Sequence, residues 1–229
     1  MVRERSVREQ VDSGRLAFAV LDVNAGQYVE STREPGMELL AALDRATDEF
    51  RQRLTLVDDH DWARSTPCPD WDVQYLVAHV VGGNRFALSI LGGMSASDAF
   101  AEVMSAPQLA DDALGAFDTT SAAQLAAFCT DGALEQQIDH PLGKITGREF
   151  LAFRAFDTTL HAWDLARALG ADEHILPELV ETVLAIVESG PPGMGFGITA
   201  LGSAGADAPP LVRLLDLAGR KGDIDVSGV

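Results

Sequence analysis

Four polar residues lie on one face of a single predicted helix, and their types can bind a metal. The segment Phe153–Ala166 contains Arg154, Asp157, His161 and Asp164 at spacings of three and four residues. At about 100° per residue, these four side chains fall within roughly 80° of one another. Asp157 and His161 lie one above the other, one helical turn apart. A carboxylate and an imidazole in that relation can be two ligands of one metal ion.

A third candidate ligand, His79, lies on another predicted helix. On a helical projection it falls in the apolar stripe together with Leu76 and Phe86, so it faces the interior. Gly83, one turn later, has no side chain and would let a neighbouring helix or a ligand approach closely. Three nitrogen and oxygen ligands from two facing helices are a common way to build a metal site inside a helical bundle.

Each half of this pattern also has a simpler interpretation. His79 could be a core histidine satisfied by one hydrogen bond. The polar stripe around His161 could be the solvated face of an amphipathic helix, although such faces normally use Lys and Glu. Asp164 could accept the second N–H of His161 and fix its tautomer, or it could pair with Arg154 or Arg167. Spacing alone leaves these alternatives open.

The remaining histidines do not complete the site. His60, His140 and His174 fall outside the predicted helices, and we expect all three at the surface. Three protein ligands without a fourth leave coordination positions open for a small molecule, which is typical of catalytic metal sites.

Composition restricts the partners and the compartment. Acidic residues outnumber basic ones by 35 to 17, a net charge of −18, which disfavours nucleic acid and anionic membranes as partners. No apolar run approaches the ~20 residues of a membrane span, and Leu16–Val20 is too short for a signal peptide. Cys68 and Cys129 form no CxxC motif, and we expect a reducing cytoplasm. A homodimer is left open.

The beginning of the chain differs in composition from the rest. Residues 1–36 mix charges, Gly and Ser with one strand-like run, Leu16–Val23. We predict that they are an N-terminal extension that is poorly ordered or not native, with Met37 as the alternative start. Residues 37–219 are the predicted helical domain, and residues 220–229 are a predicted tail.

Apolar periodicity predicts helices in the rest of the chain. They are expected at about Met37–Leu56, Asp72–Leu91, Ala96–Met104, Ala110–Cys129, Arg148–Leu169, Pro177–Ser189 and Pro210–Ala218. Asp70 is the predicted cap of the second of these, a short hairpin is expected around Pro141–Lys144, and Gly190–Pro210 is expected to be irregular. Four long amphipathic helices without a convincing sheet predict an all-α fold, a four-helix bundle with short extra helices.

Two blocks of sequence resemble the DinB-like proteins of actinobacteria. The first is Thr66–Val73 (TPCPDWDV) with the following Ala78–Gly82 (AHVVG), and the second runs from Asp157 to Gly170, roughly 80 residues later. The segment Gly147–Phe150 and the later run APPLVRLLDL also fit. The branch resembled is the one related to the metal-binding domain of mycothiol-dependent maleylpyruvate isomerase, and the resemblance covers roughly residues 37–219.

The resemblance implies a DinB/YfiT-like four-helix bundle with a divalent metal in its core. The ligands of the family fall on His79, Asp157 and His161, the trio that the helical projections bring together. Position 157 is Asp where the isomerase branch has Glu and other relatives have His, so with this shorter side chain the metal would either lie closer to its helix or bind more weakly. Pro67 and Cys68 are expected to be structural. The resemblance carries over no catalytic residue, because the substrate-binding region of the isomerase lies in a C-terminal domain that this chain largely lacks.

Three functions are compatible with these features. The leading hypothesis is a metal-dependent enzyme that uses a low-molecular-weight thiol, mycothiol, for isomerisation, S-transfer or detoxification, because a thiol that binds a metal becomes a nucleophile. The alternatives are a non-catalytic protein whose metal ties two helices together, and a metal-dependent hydrolase with Asp164 as its base. Two imidazoles and a carboxylate suit zinc best, and also nickel or iron.

Overall fold

The chain divides into two compact units, residues 1–38 and residues 39–229. The computed structural model describes residues 7–12, 15–21, 28–31, 35–105, 109, 112–141, 143–189 and 199–222. Within these ranges, no helix is both long enough and apolar enough to cross a membrane.

The first unit contains a small antiparallel sheet. Its strands β1 (Val7–Asp12), β2 (Arg15–Leu21) and β3 (Tyr28–Ser31) pair in that order. The predicted strand-like run that begins at Leu16 therefore corresponds to most of β2. That residues 1–36 are a poorly ordered or non-native extension stays a prediction.

The rest of the described chain is helical, which confirms the predicted fold class. Its helices are α1 (Pro35–Leu54), α2 (Val73–Leu91), α3 (Ala96–Ser105), α4 (Ala113–Phe128), α5 (Gly147–Leu169), α6 (Pro177–Ser189) and α7 (Pro210–Leu217). The expected hairpin, β4 (Gln137–His140) paired with β5 (Gly143–Thr146), leads directly into α5. The long helices α1, α2, α4 and α5 form the bundle.

Aromatic and aliphatic side chains of these four helices share one core. Phe50 of α1 and Phe117 of α4 stack with their ring centroids 4.9 Å apart. Phe128 of α4 meets Phe150 of α5 at 5.8 Å. Because α2 packs against both α4 and α5, a side chain on its inner face can reach either neighbour.

Helix α5 is buried on almost every side. Its small face and most of its polar face are buried, with Arg154 only 3% exposed and Asp164 fully buried. The alternative of a solvated polar stripe is therefore wrong. The helix begins with a capping box in which Thr146 and Glu149 each accept the backbone N–H of the other, and it ends at Gly170, whose φ of 66° favours glycine.

The turn before α2 corrects one prediction. Asp72, not Asp70, caps the helix, because its Oδ1 accepts the N–H of Tyr75 at 2.8 Å. The N–H of Thr66 donates to the carbonyl of Trp71 and so closes the turn, in which Asp70 adopts a positive φ of 64°. A residue in that conformation cannot provide the extended backbone of an N-cap.

The C-terminal part of the fold is held by Asp216 of α7. Its carboxylate accepts the backbone N–H groups of Gly202, Ser203 and Ala204 at 2.7–3.0 Å. This ties the irregular residues 199–204 to α7, which packs on α6. The first part of the predicted irregular segment, residues 190–198, lies outside the described residues.

We expect Gly147→Ala to destabilise the protein by about 3 kcal/mol or more, because the added methyl group has no free space. A Cβ at this position would lie 1.9 Å from the carbonyl oxygen of Ala133, so α5 would have to move. Gly205→Ala is the control, since no atom lies within 4 Å of its added Cβ. Urea unfolding of both variants measures the difference, and equal stabilities would contradict this account of how α5 is seated.

Candidate metal centre

The three predicted ligands come together between α2 and α5. Oδ1 of Asp157 lies 3.3 Å from Nε2 of His161 and 3.6 Å from Nε2 of His79. The three side chains offer ligand atoms that all lie within 4.8 Å of one another, close enough to hold one metal ion. The identification of these residues as ligands rests on that proximity and stays a prediction.

Solvent reaches the trio from the side of His79. The side chain of His79 is 37% exposed, whereas those of Asp157 and His161 are 13% and 7% exposed. Trp71 covers both imidazoles, with its ring centroid 4.7 Å from that of His79 and 5.6 Å from that of His161. Helical projection could not find Trp71, because it lies in the turn before α2. Its only signal was its place in the TPCPDW block.

Arg154 holds the carboxylate of Asp157 from the side opposite the histidines. Its Nη1 donates to Oδ2 of Asp157 at 2.7 Å, its Nη2 to Oδ1 of Asn84 at 2.9 Å and its Nε to Oε1 of Gln124 at 2.8 Å. The guanidinium lies against Gly83, where a Cβ would come within 2.5 Å of Nη1. The predicted close approach at Gly83 is therefore confirmed, and its occupant is Arg154.

The charges of Asp157 and His161 depend on each other. Burial alone would raise the pKa of Asp157, but the neighbouring charges of His161 and Arg154 hold that pKa well below its usual range. Burial would likewise lower the pKa of His161, and the carboxylate of Asp157 raises it well above its usual range. Without a metal, the two groups are therefore a carboxylate and an imidazolium. A cation that binds both must displace the proton of the imidazolium.

Asp164 takes the role of orienting His161. Its Oδ2 lies 3.0 Å from Nδ1 of His161, so the other ring nitrogen faces Asp157. The ion-pair partner of Asp164 is Arg220, whose Nη2 donates to Oδ2 at 2.8 Å, and not Arg154 or Arg167. Arg220 falls in the predicted tail, where no periodicity indicates burial. The ion pair could not be predicted from local patterns, because Arg220 and Asp164 are 56 residues apart in the sequence.

A second group of potential ligands, Cys68, His161 and Asp164, shares one histidine with the first. Sγ of Cys68 lies 3.3 Å from Oδ2 of Asp164, and Nη2 of Arg220 lies 3.4 Å from Sγ. Because a guanidinium already bonds to both the sulfur and the carboxylate, this cluster is a hydrogen-bonded support for His161. That agrees with the structural role expected for Cys68.

The trio lies in the wall of a large cavity of about 850 Å³. Most of the lining is apolar and comes from α2, α3 and α5, including Phe86, Phe100, Val103, Met104, Phe150, Phe153 and Leu160. Tyr75, Phe100 and Met104 are more than half exposed and also line the cavity. The volume lies within the range of about 300–1,000 Å³ of small-molecule sites.

Among the other histidines, His140 differs from its prediction. His60 and His174 are exposed as expected, but His140 is buried beside Phe86, Phe150 and Phe153 and lines the cavity. Its position at the end of β4, packed over α5, could not be read from a loop-like sequence. Burial lowers the pKa of His140 to about 4, so its ring is neutral at physiological pH.

We expect Gly83→Ala to disturb the site, because its methyl group would displace the Arg154 guanidinium from Asp157. Gly82→Ala is a matched control on the same helix, where the new Cβ would meet only Cγ1 of Val103, at 3.0 Å. Both changes gain about 1 kcal/mol of helix propensity. Gly83→Ala should nevertheless be less stable than Gly82→Ala by about 1–3 kcal/mol in urea unfolding. Equal stabilities would show that Arg154 relocates freely.

We expect His140→Phe to make the fold less sensitive to acid. The folded-state pKa of about 4 lies below the ordinary 6.5, so on acidification the unfolded chain takes up a proton first. Stability is therefore lost as the pH falls from about 6.5 to about 4, by roughly 2–3 kcal/mol. Urea unfolding at pH 7 and pH 4.5 measures this loss, with exposed His60→Phe as control. An unchanged loss in His140→Phe would contradict this assignment.

Comparison with known proteins identifies relatives that match about two thirds of the chain. Residues 25–166 match the family described as the mycothiol maleylpyruvate isomerase N-terminal domain. Two uncharacterized proteins, from two strains of Mycobacterium tuberculosis, are each 32% identical to the chain over 163 residues, which is 70% of this chain and 85% of theirs.

Two solved structures share the fold, those of the mycothiol-dependent maleylpyruvate isomerase and of a mutant of that enzyme. Their TM-scores are 0.53 and 0.52, with 19% and 20% sequence identity, and each comparison covers 67% of this chain and 70% of the other. The family match spans more than half of the chain and includes His79, Asp157 and His161. The chain therefore belongs to the family of the mycothiol maleylpyruvate isomerase N-terminal domain.

Proposed function

We propose that this protein is a metal-dependent enzyme that binds a divalent cation through His79, Asp157 and His161 and uses a low-molecular-weight thiol, mycothiol, as its second reactant. The observation that carries the proposal is the position of the three ligand atoms in the wall of a large, mostly apolar cavity. The reaction would be an isomerisation, an S-transfer or a detoxification of an electrophile.

The donor set fits such a cation. Bonds of about 2.0–2.1 Å in a tetrahedral sphere place neighbouring ligand atoms about 3.3 Å apart. The two separations from Oδ1 of Asp157, 3.3 Å to His161 and 3.6 Å to His79, are close to that spacing. Two imidazoles and one carboxylate favour zinc, with nickel or iron as alternatives. The identity of the metal is part of the proposal.

Residues outside the trio hold the three ligand atoms in place. Arg154 occupies Oδ2 of Asp157, so that Oδ1 faces the two imidazoles. Asp164 occupies Nδ1 of His161 and leaves Nε2 for the cation. Such outer partners fix the orientation and tautomer of metal ligands. Trp71 restricts the movement of both rings.

The charges around the site favour an anionic second ligand. Arg154 compensates Asp157, and Arg220 compensates Asp164, so the protein groups around the trio are close to neutral. A divalent cation would keep its double charge in a mostly apolar cavity, and it would lower the pKa of a thiol bound there and make it a nucleophile. The apolar walls limit competition from water.

Two observations favour this function over its alternatives. A purely structural metal site normally has four protein ligands. Within the described residues, no further His, Cys, Asp or Glu joins the trio as a fourth ligand. Asp164, the candidate base for hydrolysis, is fully buried behind His161 and bonded to Arg220. Both Cys68 and Cys129 are free, in keeping with the reducing cytoplasm that a thiol cosubstrate requires. The cytoplasmic location and a homodimer stay predictions.

We expect zinc to bind one-to-one to the protein and mycothiol to bind only to the zinc-loaded form. Removing a proposed ligand in His79→Ala, Asp157→Ala or His161→Ala should lower the affinity for zinc by more than about 100-fold. Residues that only hydrogen-bond to a metal ligand typically change that affinity by about 10–100-fold. Isothermal titration with zinc, followed by mycothiol, measures both steps.

His60→Ala, an exposed loop variant, serves as the control and should bind zinc like the natural chain. Full zinc affinity in His161→Ala would refute the ligand assignment. Equal mycothiol binding with and without zinc would refute the role of the metal in thiol binding, while leaving the metal site itself intact.

A further inference from the structure

We infer that the cavity takes an apolar compound that carries one acidic group, and that Arg85 binds this group. The inference rests on the proposed function and deepens it, because it names the class of the electrophile that reacts with the thiol. Three features carry it: the pairing of the arginines, the composition of the cavity walls and the position of Arg85 on α2.

Arg85 is exceptional among the arginines of this acidic protein. Between residues 39 and 222, the side chains of ten arginines are described, and nine of them form an ion pair with a carboxylate. Arg85 lines the cavity, is partly buried, and has no hydrogen bond or ion pair from its guanidinium within the described part of the chain. A half-buried cation without a partner favours an anion from outside.

The charged groups of the cavity wall leave a positive excess at Arg85. Among the described residues, the wall contains Arg85, Arg154, Asp157 and Arg220, and the imidazolium of His161 when no metal is bound. Arg154 and His161 both lie against Asp157, and Arg220 lies against Asp164 behind the wall, so Arg85 is the one cation of the described wall that contacts no carboxylate. A guanidinium binds a planar carboxylate through two parallel hydrogen bonds.

The rest of the wall selects an apolar body for the ligand. Phe100, Val103 and Met104 of α3 face Phe150 and Phe153 of α5 as parts of the same lining. These five side chains offer no hydrogen bonds, so a strongly polar group placed against this part of the wall would lose its hydration without compensation. An aromatic or aliphatic chain would instead bury apolar area.

The position of Arg85 sets the length of the ligand. It follows His79 by six residues on α2, which corresponds to about 9 Å along the helix axis. The two residues are also about 120° apart around the helix axis, so a compound that contacts both the guanidinium and the trio needs an elongated body. The acidic group and the reactive group are expected at its opposite ends.

Matched probes test the inference. Isothermal titration would compare 4-phenylbenzoate with the uncharged 4-phenylbenzyl alcohol, first on metal-free protein in the presence of a chelator and then on zinc-loaded protein. We expect the carboxylate to bind at least tenfold more tightly than the alcohol to both forms. Arg85→Met, which keeps an apolar stem, should abolish that preference without changing the affinity for the alcohol.

Arg85→Lys should keep part of the preference, and Arg51→Met, whose guanidinium is paired with Asp118 on another face, should keep all of it. An unchanged preference in Arg85→Met would overturn the inference. So would a carboxylate preference that is present only with zinc, since the acid would then bind the metal. The zinc affinity of Arg85→Met should equal that of the natural chain, because Arg85 is not one of the proposed ligands. If the natural chain itself does not bind zinc, that result counts against the proposed function and not against the role of Arg85.

Discussion

The carboxylate of Asp157 is the group on which the rest of the site depends. A buried charge is tolerated only when it is compensated and hydrogen-bonded on every side. Here Arg154 binds one oxygen, and the imidazoles of His79 and His161 face the other. Arg154 in turn needs the empty space at Gly83 and acceptors from α2 and α4. The packing of α2, α4 and α5 and the geometry of the candidate site therefore depend on the same contacts.

The interior has an electrostatic character that differs from the surface. The chain has a net charge of −18, yet the described residues of the cavity wall include three arginines and a single carboxylate. Two of these arginines are matched by Asp157 and Asp164, which also orient the histidines. The same ion pairs that stabilise the buried part of α5 thus leave the trio nearly neutral. In the proposed metal site, that neutrality would let a cation and an anionic ligand share an apolar cavity.

Sequence reasoning succeeded where one helix carries the information. The spacing of Asp157 and His161, the apolar stripe around His79 and the missing side chain of Gly83 all follow from the 3.6-residue period. It failed where position depends on a turn or on a distant segment. Asp72 replaced Asp70 as the cap because turn dihedrals are not periodic. Helical periodicity left open whether α2 and α5 face each other. The family resemblance made that pairing the expected one.

The sequence by itself determined the helices and the faces on which their polar groups lie, including the candidate ligands His79, Asp157 and His161, because these are local properties of an amphipathic helix. Only the tertiary structure decided that the polar face of α5 is buried, that His140 is a core residue, and that Arg220 returns from the C-terminus to Asp164. It also decided that Arg85 lines the cavity without a partner among the described residues. Burial and long-range pairing result from packing among all the elements, so no local pattern encodes them.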